Sequence, residues 1–112
     1  MIAPLKSKKK IDVVFEKGTV IKEKSLFIRY YDFRDEEISF GVSVSKRFFN
    51  SAVTRNRLKR RMRESVRKNP KINEIKKGTS FFLIYNTSKE YSFQDIDKKV
   101  CTLVDNLISK IN

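Results

Sequence analysis

Histidine and tryptophan are absent from this 112-residue chain, and cysteine occurs once, at Cys101. Without histidine the commonest general base is missing. A single thiol cannot build a metal site of spaced thiolates, and it excludes an internal disulfide, which fits a reducing compartment. Cys101 itself is expected to be a small packing residue. Long apolar runs are lacking as well. Nothing approaches the ~20 apolar residues of a membrane span, and the N-terminus has no apolar core of a signal peptide, so a cytoplasmic protein is expected. Acids are scarce, 13 against 26 Lys and Arg, and stand singly except in Asp35-Glu36-Glu37, which reads as a solvated turn. Carboxylates so dispersed do not assemble a two-metal phosphodiesterase centre. The chain is expected to bind rather than to catalyse, with no catalytic residue and no metal ligand of its own.

What is present is enough apolar material to fold, and a large excess of cations. Hydrophobic residues make up 39% and aromatics 12%, so residues 1–112 are expected to form one domain with a modest core. A net charge of +13 points to a polyphosphate partner. An anionic membrane fits less well, because the most basic segment has no wide Leu/Phe face to insert.

That segment runs from Ser45 to Asn69. Between Lys46 and Lys68 it holds ten cations (Lys46, Arg47, Arg55, Arg57, Lys59, Arg60, Arg61, Arg63, Arg67, Lys68) and one acid, Glu64. From Ala52 to Asn69 there is no Gly or Pro, and Asn50 or Ser51 can cap the start, so the spacing predicts one helix. On a 3.6-residue wheel Leu58, Met62 and Val66 form a narrow apolar stripe. Asn56, Lys59, Arg60, Arg63 and Arg67 share one sector beside it, while Arg57, Arg61 and Lys68 lie on another side, with Glu64 between. The like-charge pairs at i, i+4 and the cations in the first turn cost roughly 1–2 kcal/mol, offset only by Glu64. A dense polyanion would reverse that sign. A merely solubilising face usually mixes both charges.

Around this helix the other elements are read from periodicity. Residues 1–10 are expected to be a basic, mobile start. Ile11, Val14 and Phe15 recur at helical spacing up to Gly18, giving a helix over about 8–17. Thr19–Lys22 and Leu26–Tyr31 read as strands, and the turn Asp32–Glu37 is expected to join the second, hairpin-like, to Ile38–Val44. In that last strand Ser39, Gly41 and Ser43 form one row, small enough to admit either an RNA strand or a close-packed helix. Thr79–Tyr85 is apolar on both faces and thus central. Ser92 caps a long amphipathic closing helix. The expected fold is α+β: a single two-layer sandwich in the order αβββαβα, with a four-stranded, mostly antiparallel sheet.

Ser43-Val44-Ser45-Lys46-Arg47, Ala52-Val53, Arg55-Asn56-Arg57, Lys59-Arg60 and Arg63-Glu64 together resemble the signature of the protein subunit family of bacterial ribonuclease P. The resemblance extends through Phe15 and Gly18 to nearly the whole chain. It implies a left-handed crossover around the basic helix, against the general handedness rule. It also implies an accessory role: a catalytic RNA subunit holds the Mg2+ ions and removes the 5′ leader of precursor tRNA, and the protein joins that RNA as a monomer in a 1:1 holoenzyme. Carried over, Lys46, Arg47, Arg55, Asn56, Arg57, Lys59, Arg60 and Arg63 contact the RNA, with Arg67 extending the basic sector. Phe15 and Tyr30 correspond to aromatics of a leader cleft between the first helix and the sheet. Departures from the pattern are Phe48-Phe49-Asn50-Ser51, where the family usually carries a shorter link with glycine, Ile11 in place of a frequent phenylalanine, and Asn86 in place of a frequent cation. A structural RNA-binding protein of ribosomal type, with no part in cleavage, is the alternative of a different class. A stand-alone metal nuclease is a weaker one.

Overall fold

Three serines start the three helices. The hydroxyl of Ser7 accepts the Lys10 N–H, that of Ser51 the Thr54 N–H and that of Ser92 the Asp95 N–H, at 3.2–3.4 Å, each satisfying a donor that the first turn leaves unpaired. The computed structural model of the protein describes residues 2–111, so both ends of the 1–112 domain lie outside the described residues. Its elements are β1 (Ile2–Pro4), α1 (Lys8–Lys17), β2 (Thr19–Glu23), β3 (Leu26–Asp32), β4 (Ile38–Val44), α2 (Ala52–Lys68), a 3₁₀ turn (Ile72–Glu74), β5 (Thr79–Tyr85) and α3 (Phe93–Ile111).

The sheet has five strands in the order β1-β4-β5-β3-β2, with β1, β4 and β5 parallel and β5, β3 and β2 successively antiparallel. Three expectations change. Ile2–Pro4 is no mobile tail but a fifth strand, paired in register from Ile2 with Ile38 to Pro4 with Phe40, and Leu5 behind it is buried. Three residues ending in proline give no strand signal, and an edge is where a proline can sit. The sheet is accordingly mixed. Nor are β3 and β4 hairpin partners: β5 lies between them, because a strand apolar on both sides gains most at the centre.

One face of the sheet carries Ile38, Phe40 and Val44, then Phe81, Leu83 and Tyr85, then Leu26 and Ile28, all packed with Leu58, Met62 and Val66 of α2 and with Ile96, Val100, Leu103, Val104 and Leu107 of α3. This is the core. The other face is covered in part by α1, which reaches β3 and β5. Gly18 ends α1 in an extended conformation and donates its N–H to the Val14 carbonyl at 3.0 Å. A Cβ there would stand 2.2 Å from that carbonyl oxygen, so the glycine is needed for close approach rather than for a left-handed turn.

Candidate nucleic-acid interface

The buried stripe of α2 fixes where its cations point. Leu58 and Met62 are wholly buried, and Ser65, also buried, donates to Asp97 of α3 at 2.6 Å. The opposite side of the helix presents Asn56, Arg60, Arg63 and Arg67 to solvent, with Lys59 half-buried beside them. Among the described residues, none of these four cations lies in an ion pair. The other cations of the helix are engaged. Arg57 forks onto Glu90, with Nε and Nη2 each 3.1 Å from a carboxylate oxygen. Arg61 lies 3.7 Å from the same carboxylate and donates to the Tyr91 carbonyl at 2.7 Å, and Lys68 pairs with Glu64 at 2.7 Å. Glu64 is therefore not the only acid that offsets the helix's self-repulsion. Glu90 relieves it too, and both relieve the side turned away from the open sector.

The chain enters α2 through a braced link. Phe48 and Phe49 both direct their N–H groups to the Ser45 carbonyl, at 3.3 and 3.2 Å. Arg55 donates to the carbonyls of Phe49 and Asn50 at 2.7 and 2.8 Å, so it holds the link instead of projecting freely. Lys46 and Arg47 are exposed, and the Arg47 guanidinium lies 4.7 Å from the centre of the Phe48 ring.

Phe15 and Tyr30 are not brought together. Tyr30 pairs with Phe81 across β5 and packs against the core, on the α2/α3 side of the sheet. Phe15, 39% exposed, lies on the other side with its ring centre 4.9 Å from that of Phe82. The groove beside α1 is lined instead by the residues of opposite parity: Phe82, Phe27 and Arg29, whose guanidinium donates to the Phe15 carbonyl at 2.8 Å. Next to them Lys22, Lys24 and Arg29 surround a depression of about 430 Å³. The alternation in β3 already separates Leu26, Ile28 and Tyr30 from Phe27, Arg29 and Tyr31, and was the signal that could have found these residues. The small row of β4 is not bare. Ser39 is buried and bonded to Ser80 at 2.7 Å, and a Cβ on Gly41 would meet the Phe82 ring at 2.6 Å. Its small side chains make room for that ring.

The two regions meet at the edge of β4. Beyond Pro4 no strand pairs with β4 on the β1 side. A cavity of about 250 Å³ opens there, where Lys6, Gly41 and Phe82 face Val42, Arg63 and Arg67. Lys6 belongs to the segment expected to be a loose tail, and its place here follows from β1. The positively charged surface is thus continuous from α2, around the open strand edge, to the aromatic groove beneath α1.

Two aspartates of the β3–β4 connection are held in hydrogen bonds. Asp35 accepts from Lys10 Nζ at 2.6 Å and from the Glu37 N–H, and these bonds hold its carboxyl below the usual aspartate value. Asp32, bonded to Lys76 and to the Arg34 N–H, is lowered likewise. Asp32 ends β3 and Asp35 lies in the turn that leads to β4, at the end of β4 remote from the link into α2. Among the described residues no three His, Cys, Asp or Glu side chains cluster as metal ligands. Burial, with Asp97 and Asp105 nearby, pushes the Cys101 thiol up, away from a reactive thiolate.

Comparison with known proteins agrees with this architecture. The family model described as Ribonuclease P matches residues 3–108. The Ribonuclease P protein component of Clostridioides difficile (strain 630) is 37% identical over 93 residues, covering 81% of this chain and 79% of that protein. That of Macrococcus caseolyticus (strain JCSC5402) is 31% identical over 97 residues, covering 86% and 82%. In fold, the RNase P protein from Thermotoga maritima superposes with a TM-score of 0.77 at 21% identity, over 93% of this chain and 96% of that one.

Proposed function

Because the chain belongs to the ribonuclease P protein family, we propose that it works as the accessory subunit of a holoenzyme whose RNA performs the cleavage of precursor tRNA. In this reading Lys59, Arg60, Arg63 and Arg67, with Lys46 and Arg47 at the link, lie along the catalytic RNA and neutralise its phosphates, and Asn56 hydrogen-bonds to it. Arg55 and Arg57 contribute mainly by holding the link and by seating α2 through Glu90. The 5′ leader runs in the groove of Phe15, Phe82, Phe27 and Arg29, where stacking and cations accept any sequence. Tyr30 supports the sheet from behind. Mg2+ is held by RNA oxygens, and what this chain supplies is charge neutralisation and positioning, terms that lower a phosphoryl-transfer barrier without a protein base. One protein joins one RNA in the cytoplasm.

The observation that carries this reading is the contrast along α2: cations on the core-flanking side are matched by Glu90 and Glu64, while Lys59, Arg60, Arg63 and Arg67 lie in no ion pair among the described residues. The test is reconstituted cleavage. The protein alone should cut nothing, and added to its cognate RNA it should lower the magnesium and salt needed for turnover. Affinity for precursor tRNA should fall when the leader is trimmed to a nucleotide or two. A structural RNA-binding protein would show no such dependence on leader length, and that outcome would replace this reading.

A further inference from the structure

We infer that the link between β4 and α2 carries a stacking site for an unpaired nucleobase of the partner RNA, built from Phe48 and Arg47. The two adjacent phenylalanines of the link have different fates. Phe49 turns inward, its ring centre 5.9 Å from that of Tyr85, and packs against the core. Phe48 is only half-buried, is not part of that packing, and meets no other aromatic ring among the described residues. Its neighbour is the Arg47 guanidinium at 4.7 Å.

The backbone beneath the pair is rigid. Ser45 receives the N–H groups of Phe48 and Phe49 on its carbonyl and that of Arg47 on its hydroxyl, and Arg55 ties down the carbonyls of Phe49 and Asn50. A large aromatic ring left partly in water on a fixed loop, with a planar cation against it and Lys46 next to it, is complementary to an exposed base with its phosphate. Bases stack on aromatic rings and on guanidinium planes alike, and the cation keeps the flanking phosphate near. The inference rests on the reading of this chain as a ribonuclease P subunit. The base is assigned to the catalytic RNA, not to the leader: the link lies where α2 begins, continuous with its open cations, whereas the leader groove is on the opposite face of the sheet.

The test measures affinity of the whole protein for its cognate ribonuclease P RNA without substrate, by fluorescence anisotropy, for Phe48→Leu, Phe48→Ala and Arg47→Lys, with thermal midpoints for each. Phe48→Leu keeps the bulk and removes the ring. It should weaken binding about tenfold with an unchanged midpoint and an unchanged slope of log K on log[salt]. Arg47→Lys keeps the charge and should still weaken binding severalfold, which a charge-only role would not produce. Binding within about twofold of the unsubstituted protein for Phe48→Leu overturns the inference, as does a loss confined to Phe48→Ala together with a lowered midpoint. Arg60→Ala and Arg63→Ala in the same assay separate the two claims: if they weaken binding while Phe48→Leu does not, the stacking site fails and the subunit reading stands.

Discussion

Side chains of consecutive residues on α2, about 100° apart around the helix, have opposite duties. Met62 is wholly buried between the sheet and α3, whereas Arg63 beside it in sequence faces solvent and lies in no ion pair among the described residues. Met62→Ala, or Leu58→Ala, should therefore cost about 2–5 kcal/mol of stability, read from urea unfolding. Arg60→Ala and Arg63→Ala should leave the unfolding midpoint nearly unchanged and weaken RNA binding. Equal stability losses in both sets would mean that the faces are misassigned. A second residue-scale prediction concerns Asp35. Lys10 is the main cause of its lowered folded-state pKa, so the stability it adds is present above the unfolded aspartate pKa and is lost as pH falls through the folded one. Lys10→Gln should raise the Asp35 titration midpoint in carboxyl NMR and flatten that part of the acid dependence of stability. An unmoved midpoint would refute the coupling.

The elements themselves were largely legible in the sequence, because strong periodicity marks α1, α2 and α3, capping residues start the last two, and β-rich runs mark β2 to β5. Adjacency was not. Nothing in Leu26–Asp32 or Ile38–Val44 says that β5 will come between them, since pairing at the centre is decided by what both faces of the sheet can bury. For the same reason β1 was invisible. In the candidate site the basic helix and its open sector could be read, but not that Arg55 would hold the link or that Arg57 would pair with Glu90, because a lone acid in a loop has no pattern. Of the two aromatics expected in one cleft, Tyr30 lies on the core face and Phe15 on the other, a separation of one residue of strand parity. Gly41 tests the corrected groove. An added Cβ would drive the Phe82 ring off its seat and disturb its contact with Phe15. Gly41→Ala should lower affinity for leader-bearing precursor tRNA, reduce the difference between long and trimmed leaders, and leave binding of the catalytic RNA alone unaffected. An undiminished leader dependence would place the leader elsewhere.

Across the whole molecule, charge is sorted by position. At the start of β4, Asp32, Asp35 and Glu36 are each opposed by a lysine (Lys76, Lys10 and Lys77), so that end is close to neutral. Among the described residues, Lys59, Arg60, Arg63 and Arg67 along α2 and Lys6 at the open edge of β4 lie in no ion pair. Association should therefore be strongly salt-dependent: with about five to eight phosphates neutralised, log K should fall with log[salt] at a slope of order −4 to −7. The same sorting makes the arginines of one helix unequal. Arg63→Gln removes an exposed cation that lies in no ion pair among the described residues, and it should reduce the slope by about one phosphate contact. Arg57→Gln removes a cation already matched by Glu90, and the carboxylate left behind stays on the side turned away from RNA, so the slope should change by clearly less. Titrations of both variants with the catalytic RNA across a salt series decide the point. Equal slope changes would show that Arg57 leaves Glu90 on binding, and that the ion pair is a resting contact rather than a fixed brace.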